Sequence, residues 1–308
     1  MKTSPQRRKR LAKQPDPRRM KLLSAPRKIR IRKPGRVLRE KTGRIIIHFK
    51  RRYEFMKLSV CIDALFPGED PREILPKVRE AGGRAVEFWS WWDKDLDVLG
   101  EAVRKEGLEV SAFCTRLISL VDPSKRGEYR NGLADSIAVA KKLHCRSLIT
   151  QVGNDTGYSR ALQHRSLREG LAEAARMLEP EGITLLVEPL NNHQDHPGYY
   201  LSSSLEGFEL IEEVGSPNVR LLFDIYHQQI TEGNLLTNIR RHISLIGHFH
   251  AAGVPGRHEP DTGELDYGRI ARAIDETGFE GYMGLECFPL GDPVSCIRSF
   301  SAEIQGSF

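Results

Sequence analysis

Short runs rich in β-branched residues and leucine alternate with longer amphipathic stretches from Met56 to the end of the chain. The runs at 58–62, 84–89, 109–114, 146–151, 183–188, 219–224, 243–250 and 281–286 predict strands. Between them, the stretches near 71–81, 95–106, 126–143, 165–179, 204–214, 234–241, 267–277 and 292–304 predict helices. Strands that alternate with helices imply a parallel sheet with right-handed crossovers. Eight such units in the 253 residues from 56 to 308 match a (β/α)8 barrel, which typically takes about 250. Glycines at Ala81-Gly82-Gly83, Glu106-Gly107 and Thr277-Gly278 stand where a helix C-cap precedes the next strand. An open doubly wound sheet shares this alternation, but its phosphate-binding GxGxxG turn is missing after the first strand. The barrel is the expected fold.

Charge divides the chain at the same place. Residues 1–55 hold 21 Lys+Arg and 3 Asp+Glu, a net of +18, so the remainder carries 47 − 21 = 26 basic against 41 − 3 = 38 acidic residues, a net of −12. Residues 1–44 are also nearly free of apolar periodicity and interrupted by prolines, a segment that buries too little surface to offset its ordering entropy, so 1–55 is expected to be a disordered basic tail. Met56 opens a strand at once, so the domain boundaries are 1–55 for the tail, whose presence in the native protein depends on where translation starts, and 56–308 for the barrel. Nucleic acid or anionic membrane enters the picture only through that tail. No run approaches the roughly 20 apolar residues of a membrane span, and the N-terminus lacks the apolar core of a secretory signal, which predicts a cytoplasmic protein. Five widely spaced cysteines without a CxxC pair predict reduced, packed thiols, Cys287 among them. The oligomeric state, homo-oligomer or monomer, stays open.

Chemistry concentrates at four strand ends. The predicted strands close on Leu186-Val187-Glu188, Leu222-Phe223-Asp224, His248-Phe249-His250 and Gly284-Leu285-Glu286, separated by 36, 26 and 36 residues. Each spacing is about one βα unit, so the four groups arrive at the same end of neighbouring strands, the catalytic end of a barrel. Singly, each has a plain alternative: Glu188 before Pro189 as a loop carboxylate, Asp224 as a helix cap, His250 as a hydrogen-bonded core residue, Glu286 as a partner of arginine. Jointly they point to a bound cation, because three converging carboxylates repel one another without one. Oxygen ligands with one imidazole and no thiolate suit Mn²⁺, Mg²⁺ or Co²⁺, and zinc is also compatible. His227 and Arg257 form a second ring of candidates, the histidine to bond a substrate oxygen or hold a ligand carboxylate, the arginine to clamp a carboxylate. Trp89, Trp91 and Trp92 after the second strand read as hydrophobic cover.

Val187-Glu188-Pro189-Leu190-Asn191, Phe223-Asp224-Ile225-Tyr226-His227 and Pro255-Gly256-Arg257-His258-Glu259-Pro260 with Thr262-Gly263-Glu264 resemble the xylose-isomerase-like TIM-barrel superfamily, nearest to its hydroxypyruvate isomerases. The likeness spans essentially all of 56–308. It implies that Glu188 and Glu286 are both metal ligands and the acid/base pair, and that Asp224 and His250 complete the metal site. It also implies a small sugar or keto acid as substrate, isomerised through an enediolate, as hydroxypyruvate to tartronate semialdehyde. Hydroxypyruvate isomerases commonly carry glutamine where this chain has His250, a histidine more typical of ketose epimerases. Those epimerases have a further glutamate where this chain reads Asn192-His193-Gln194, which disfavours epimerisation. A nuclease resembling endonuclease IV shares the barrel, but its three-zinc cluster needs histidines at early strand ends. This chain has none at Phe88-Trp89, Phe113-Cys114-Thr115-Arg116 or Thr150-Gln151-Val152-Gly153.

Overall fold

The strands are buried on both faces because apolar side chains alternate between two different surroundings. In Leu185-Leu186-Val187, the outer two pack into the main core beneath the helices, while Leu186 belongs to a small separate group with Ala112, Cys114, Ile149 and Leu222. That second group fills the inside of a barrel. The computed structural model describes residues 56–306, and the predicted disordered tail at 1–55 lies outside the described residues.

The described chain forms a closed barrel of eight parallel strands in sequential order, each paired with its sequence neighbours and β8 with β1. The strands are β1 Lys57–Cys61, β2 Ala85–Phe88, β3 Glu109–Cys114, β4 Ser147–Thr150, β5 Thr184–Val187, β6 Val219–Asp224, β7 Ile246–Ala251 and β8 Tyr282–Leu285. The helices are α1 Ile62–Leu65, α2 Pro71–Glu80, α3 Leu96–Lys105, α4 Arg126–Leu143, α5 Arg160–Leu178, α6 Ser204–Val214, α7 Ile225–Thr231, α8 Leu235–His242, α9 Tyr267–Asp275 and α10 Pro293–Ile304. Seven of them start on an aspartate or serine that accepts backbone N–H groups from the first turn: Asp70, Asp95, Ser159, Ser203, Asp224, Asp266 and Asp292. Gly107 and Gly278 take the left-handed backbone predicted for helix ends, with φ of 62° and 79°. No described helix is long and apolar enough to cross a membrane.

Two elements differ from the sequence reading in ways that shape the site. Helices α1 and α7 begin directly after β1 and β6, with no linker to mark them. Ladder registers shift between Val86 and Glu87 and between Leu221 and Leu222, and such irregularities re-aim the side chains that follow. Smaller differences are a strand β7 that starts at Ile246 after a 3₁₀ turn and a helix α5 that starts at Arg160 on its Ser159 cap.

Candidate active site

Strand parity aims the four predicted ligands inward. Glu188 follows Leu186 by two, Asp224 follows Leu222 by two, His250 follows His248, and Glu286 follows Gly284, so each continues the interior face of its strand. All four are buried, and one donor atom from each lies within 4.8 Å of the others. His250 Nδ1 is central: it stands 3.3 Å from Glu286 Oε2, 3.5 Å from Glu188 Oε1 and 4.0 Å from Asp224 Oδ2. Asp224 also caps α7 by accepting from the His227 backbone N–H at 3.1 Å, the plain role the sequence offered for it, while its Oδ2 stays with the cluster.

A carboxylate that the sequence reading missed supports this cluster from inside the barrel. Glu87 is fully buried on β2, and its Oε2 accepts from His248 Nε2 at 2.9 Å and from the Ser111 hydroxyl at 3.2 Å. Its Oε1 lies 2.8 Å from His250 Nε2, although the ring N–H points off that line and neither atom completes an aligned hydrogen bond. Room for this contact comes from Gly284, where a Cβ would overlap Glu87 Oε1 and come within 2.7 Å of His250 Cδ2. His250 thus turns one nitrogen to Glu87 and the other to the three carboxylates. A glutamate inside the four-residue run Ala85-Val86-Glu87-Phe88, and histidines two apart on β7, were the available signals.

Above the cluster, Trp89 is more than cover. Its Nε1 donates to Glu286 Oε1 at 2.5 Å, and its backbone N–H is held by Asp63 at 2.8 Å. Trp91 and Trp92 keep the covering role, with the Arg116 guanidinium 4.6 and 5.4 Å from their ring centres. Arg257 pairs with Glu286 Oε2 through Nη2, which also lies 3.9 Å from Asp224 Oδ2. It reaches in from a turn where its own φ is 59°, left-handed backbone that is uncommon outside glycine. Gln151 Nε2 is 3.4 Å from Glu188 Oε2. A cavity of about 690 Å³ opens over these groups, lined by Trp89, Gln151, Glu188, His250, Arg257 and Glu286 among others. His227 is not on its wall. It lies fully buried, with Nε2 3.5 Å from Asp224 Oδ2, so of its two predicted roles the geometry favours holding a ligand carboxylate.

The site is short of positive charge. Burial pushes Asp224 above the usual carboxylate range, ahead of the opposing pull of Arg257. Burial acts the same way on Glu286, but Arg257 and His250 outweigh it and hold that carboxyl below the usual range. His250 responds in the opposite sense: burial disfavours its charge, yet Glu87 and Glu286 prevail and raise its affinity for a proton. Burial and Arg257 drive His227 down to about 3, which keeps it neutral. Four buried carboxylates, Glu87 included, face one half-buried arginine, and His250 Nδ1 has no hydrogen-bond partner among the described residues. These residues fit a divalent cation, with Glu188, Asp224, His250 and Glu286 as the donor set.

The sequence and the fold both have known counterparts. A family model described as xylose isomerase-like TIM barrel matches residues 75–298. The hydroxypyruvate isomerase of Escherichia coli (strain K12) is 33% identical over 244 residues, 76% of this chain and 94% of that protein. A 2-oxo-tetronate isomerase of Cupriavidus necator is 35% identical over 172 residues, 54% of this chain and 64% of that protein. Among solved structures, one titled AP endonuclease, family 2, from Brucella melitensis superposes with a TM-score of 0.76 at 30% identity, covering 80% of this chain and 98% of that one.

Proposed function

The chain belongs to the xylose isomerase-like TIM-barrel family, and from that premise we propose that it is a divalent-metal-dependent isomerase of a small sugar-like 2-oxo acid, of the hydroxypyruvate or 2-oxo-tetronate kind. The observation that carries this reading is the pair Glu188 and Glu286, held just past the ends of β5 and β8 at 3.5 and 3.3 Å from the one nitrogen of His250 that faces the cavity floor. Two carboxylates converging on one spot, with an oxygen of each within 4.8 Å of the other, are what a proton shift between adjacent carbons requires.

In hydroxypyruvate the hydrogens on C3 are acidified by the neighbouring carbonyl. One glutamate removes a proton from C3, the C3–C2 bond gains double-bond character, and the carbonyl oxygen takes up the charge as an enediolate. The other glutamate delivers a proton to C2, while the proton of the C3 hydroxyl passes to the C2 oxygen, so that C3 becomes the aldehyde and C2 the carbinol of tartronate semialdehyde. No atom is gained or lost. Glu188, Asp224, His250 and Glu286 would hold a divalent ion, which would supply charge stabilisation for an oxygen-centred anion. Trp89 Nε1 and Gln151 Nε2 steady Glu286 and Glu188 through the oxygens they contact. Arg257, poised beside Glu286 with its side chain 13% exposed to the cavity, receives the substrate carboxylate.

The test is an assay of C3 to C6 keto acids and ketoses with metal-cleared protein, with and without Mn²⁺, Mg²⁺ or Co²⁺. Isomerisation of a 2-oxo acid that vanishes with chelator and returns with metal is the expected result. Undiminished turnover by metal-free protein would sink the reading.

A further inference from the structure

The turn after β5 carries a buried side chain that the chemistry above leaves unused. Asn191 is fully buried, and its amide has only one workable orientation. Its Oδ1 accepts from the backbone N–H groups of Gln194 at 3.0 Å and Asp195 at 3.2 Å. Nδ2 therefore faces Asp195 Oδ2 and His227 Nδ1, each at 2.7 Å. Exchanging the two amide atoms would oppose an oxygen to a carboxylate and an NH₂ to two N–H donors, so the backbone N–H groups settle which way the amide faces. Asp195 is steadied in turn by the Tyr226 hydroxyl, which donates to the same oxygen at 2.9 Å.

An amide N–H only donates. His227 Nδ1 must then hold a lone pair, and the ring proton of the neutral imidazole sits on Nε2. That nitrogen is buried without a hydrogen-bond partner among the described residues and points toward Asp224, 3.5 Å from Oδ2. Asp224 Oδ1 already receives the backbone N–H of the same histidine at 3.1 Å.

We propose that Asn191 is a positioning residue that fixes His227 as its Nε2–H tautomer, making the histidine a donor toward the ligand carboxylate Asp224 and withholding the lone pair that would make it a ligand itself. This rests on the reading of the carboxylate cluster as a metal site. A ring nitrogen binds a cation only through a lone pair, so the tautomer limits this corner of the barrel to the four-residue donor set. A barrel that used His227 to hold a further zinc would need the opposite tautomer. The Asn191 amide thus favours a one-ion site over a multi-ion hydrolytic one.

The experiment is ¹⁵N NMR of histidine-labelled, metal-cleared protein, with His227 identified among the ten histidines by its loss in His227→Gln. Two-bond proton–nitrogen correlations are expected to show a protonated Nε2 and a bare Nδ1 at neutral pH. In Asn191→Asp, which keeps the side chain's size but removes its donor, Nδ1 is expected to become protonated. Titration of wild-type protein with Zn²⁺ is expected to load one ion per chain and leave the His227 signals in the Nε2–H pattern. A wild-type spectrum with Nδ1 protonated, an unchanged pattern in Asn191→Asp, or a zinc-induced shift of Nε2 to the range of a directly bound nitrogen would overturn the proposal. Should Asn191→Asp not fold, the wild-type spectrum and zinc titration decide alone. Protein with the expected tautomer that takes up no zinc would defeat the metal reading of the site and leave the tautomer assignment standing, so the two failures are distinguishable.

Discussion

Replacing Glu87 by Gln perturbs the proposed metal site while leaving every proposed ligand in place. Glutamine keeps the shape, but the carboxylate now faces three groups that donate or lie poised to donate: the Ser111 hydroxyl at 3.2 Å, His248 Nε2 at 2.9 Å and His250 Nε2 at 2.8 Å. Burial raises the Glu87 carboxyl, but His250 and His248 outweigh it and keep it ionised, well below the usual range. A glutamine amide offers one acceptor and one donor. Whichever way it turns, its NH₂ meets a histidine N–H, and the cheapest escape moves that ring proton to the other nitrogen. For His250 the other nitrogen is Nδ1, the atom facing Glu188, Asp224 and Glu286. Two donors, His248 Nε2 and the Ser111 hydroxyl, meet Oε2 and keep the amide oxygen there, so the NH₂ turns to His250 and the replacement withdraws the lone pair from the proposed metal side.

Two magnitudes follow. Partners that orient a ligating histidine typically contribute about 10- to 100-fold in metal affinity, which is about 1.4 to 2.7 kcal/mol. Breaking a buried charge pair costs about 3 to 5 kcal/mol, and the retained shape places Glu87→Gln near the low end, about 3 kcal/mol. For a domain of this size that is a drop of about 6 to 12 °C in Tm. Affinity is read by chelator competition for Mn²⁺, stability by melting the metal-cleared protein. Ser111→Ala is the control, since it touches the same carboxylate without touching either ring and should leave affinity within about twofold of wild type, less than one neutral hydrogen bond's worth. A Glu87→Gln protein that melts early yet binds Mn²⁺ as tightly as wild type would refute the reasoning, because Glu87 would then stabilise the barrel without setting His250.

Glu286→Gln and Glu188→Gln each keep an oxygen for the ion but lose a proton carrier, so kcat is expected to fall by about 10²- to 10⁴-fold while the metal still binds, measured by turnover alongside metal content. Arg257→Ala should raise KM for a carboxylated substrate with a smaller effect on kcat, as steady-state kinetics would show, if it contributes mainly uniform binding. Burial raises the Asp275 carboxyl to about 6, with the Met56 backbone N–H opposing, against 3.8 for an ordinary aspartate. Folded-state pKa above unfolded means the stability it allows is present below about 3.8 and is lost as pH rises through about 6. Asp275→Asn should accordingly gain about 1 kcal/mol at pH 8, after discounting for partial exposure, and almost nothing near pH 4, as urea melts at the two pH values would report.

The four proposed ligands were legible because each stands at or beside the end of a largely apolar strand, and a barrel gathers strand ends in one place. The barrel itself was legible from eight repeats of one pattern. Glu87 was not, since it sits within a strand rather than at its end, and only its mismatch with Val86 and Phe88 betrays it. Trp89 reads as an aromatic among three, and nothing in Trp89-Ser90-Trp91-Trp92 tells which indole meets a carboxylate until β2 and β8 are placed around the barrel. Asn191 was visible inside the Glu-Pro motif, but its role depends on backbone donors from Gln194 and Asp195 that appear only when the turn closes. Helix α7 escaped because Asp224 serves as both strand end and cap, leaving no linker to announce a new element.

Charge balance explains why these pieces occur together. The oxygens of Glu188, Asp224 and Glu286 lie within 4.8 Å of one another. At an effective dielectric constant of about 20, each like-charge pair at such a distance is unfavourable by roughly 3 to 4 kcal/mol, so three pairs oppose the arrangement by roughly 10 kcal/mol. Arg257 relieves part of this, but unevenly, since it meets Glu286 directly and Asp224 at 3.9 Å and makes no ion pair with Glu188. Glu188 is left with His250 and the long Gln151 contact. An ion at the centre serves all three carboxylates equally, which the arginine at the rim does not. Once such an ion carries that charge, Arg257 is the cation with least left to neutralise, and it stands at the cavity wall where a carboxylated substrate would meet it.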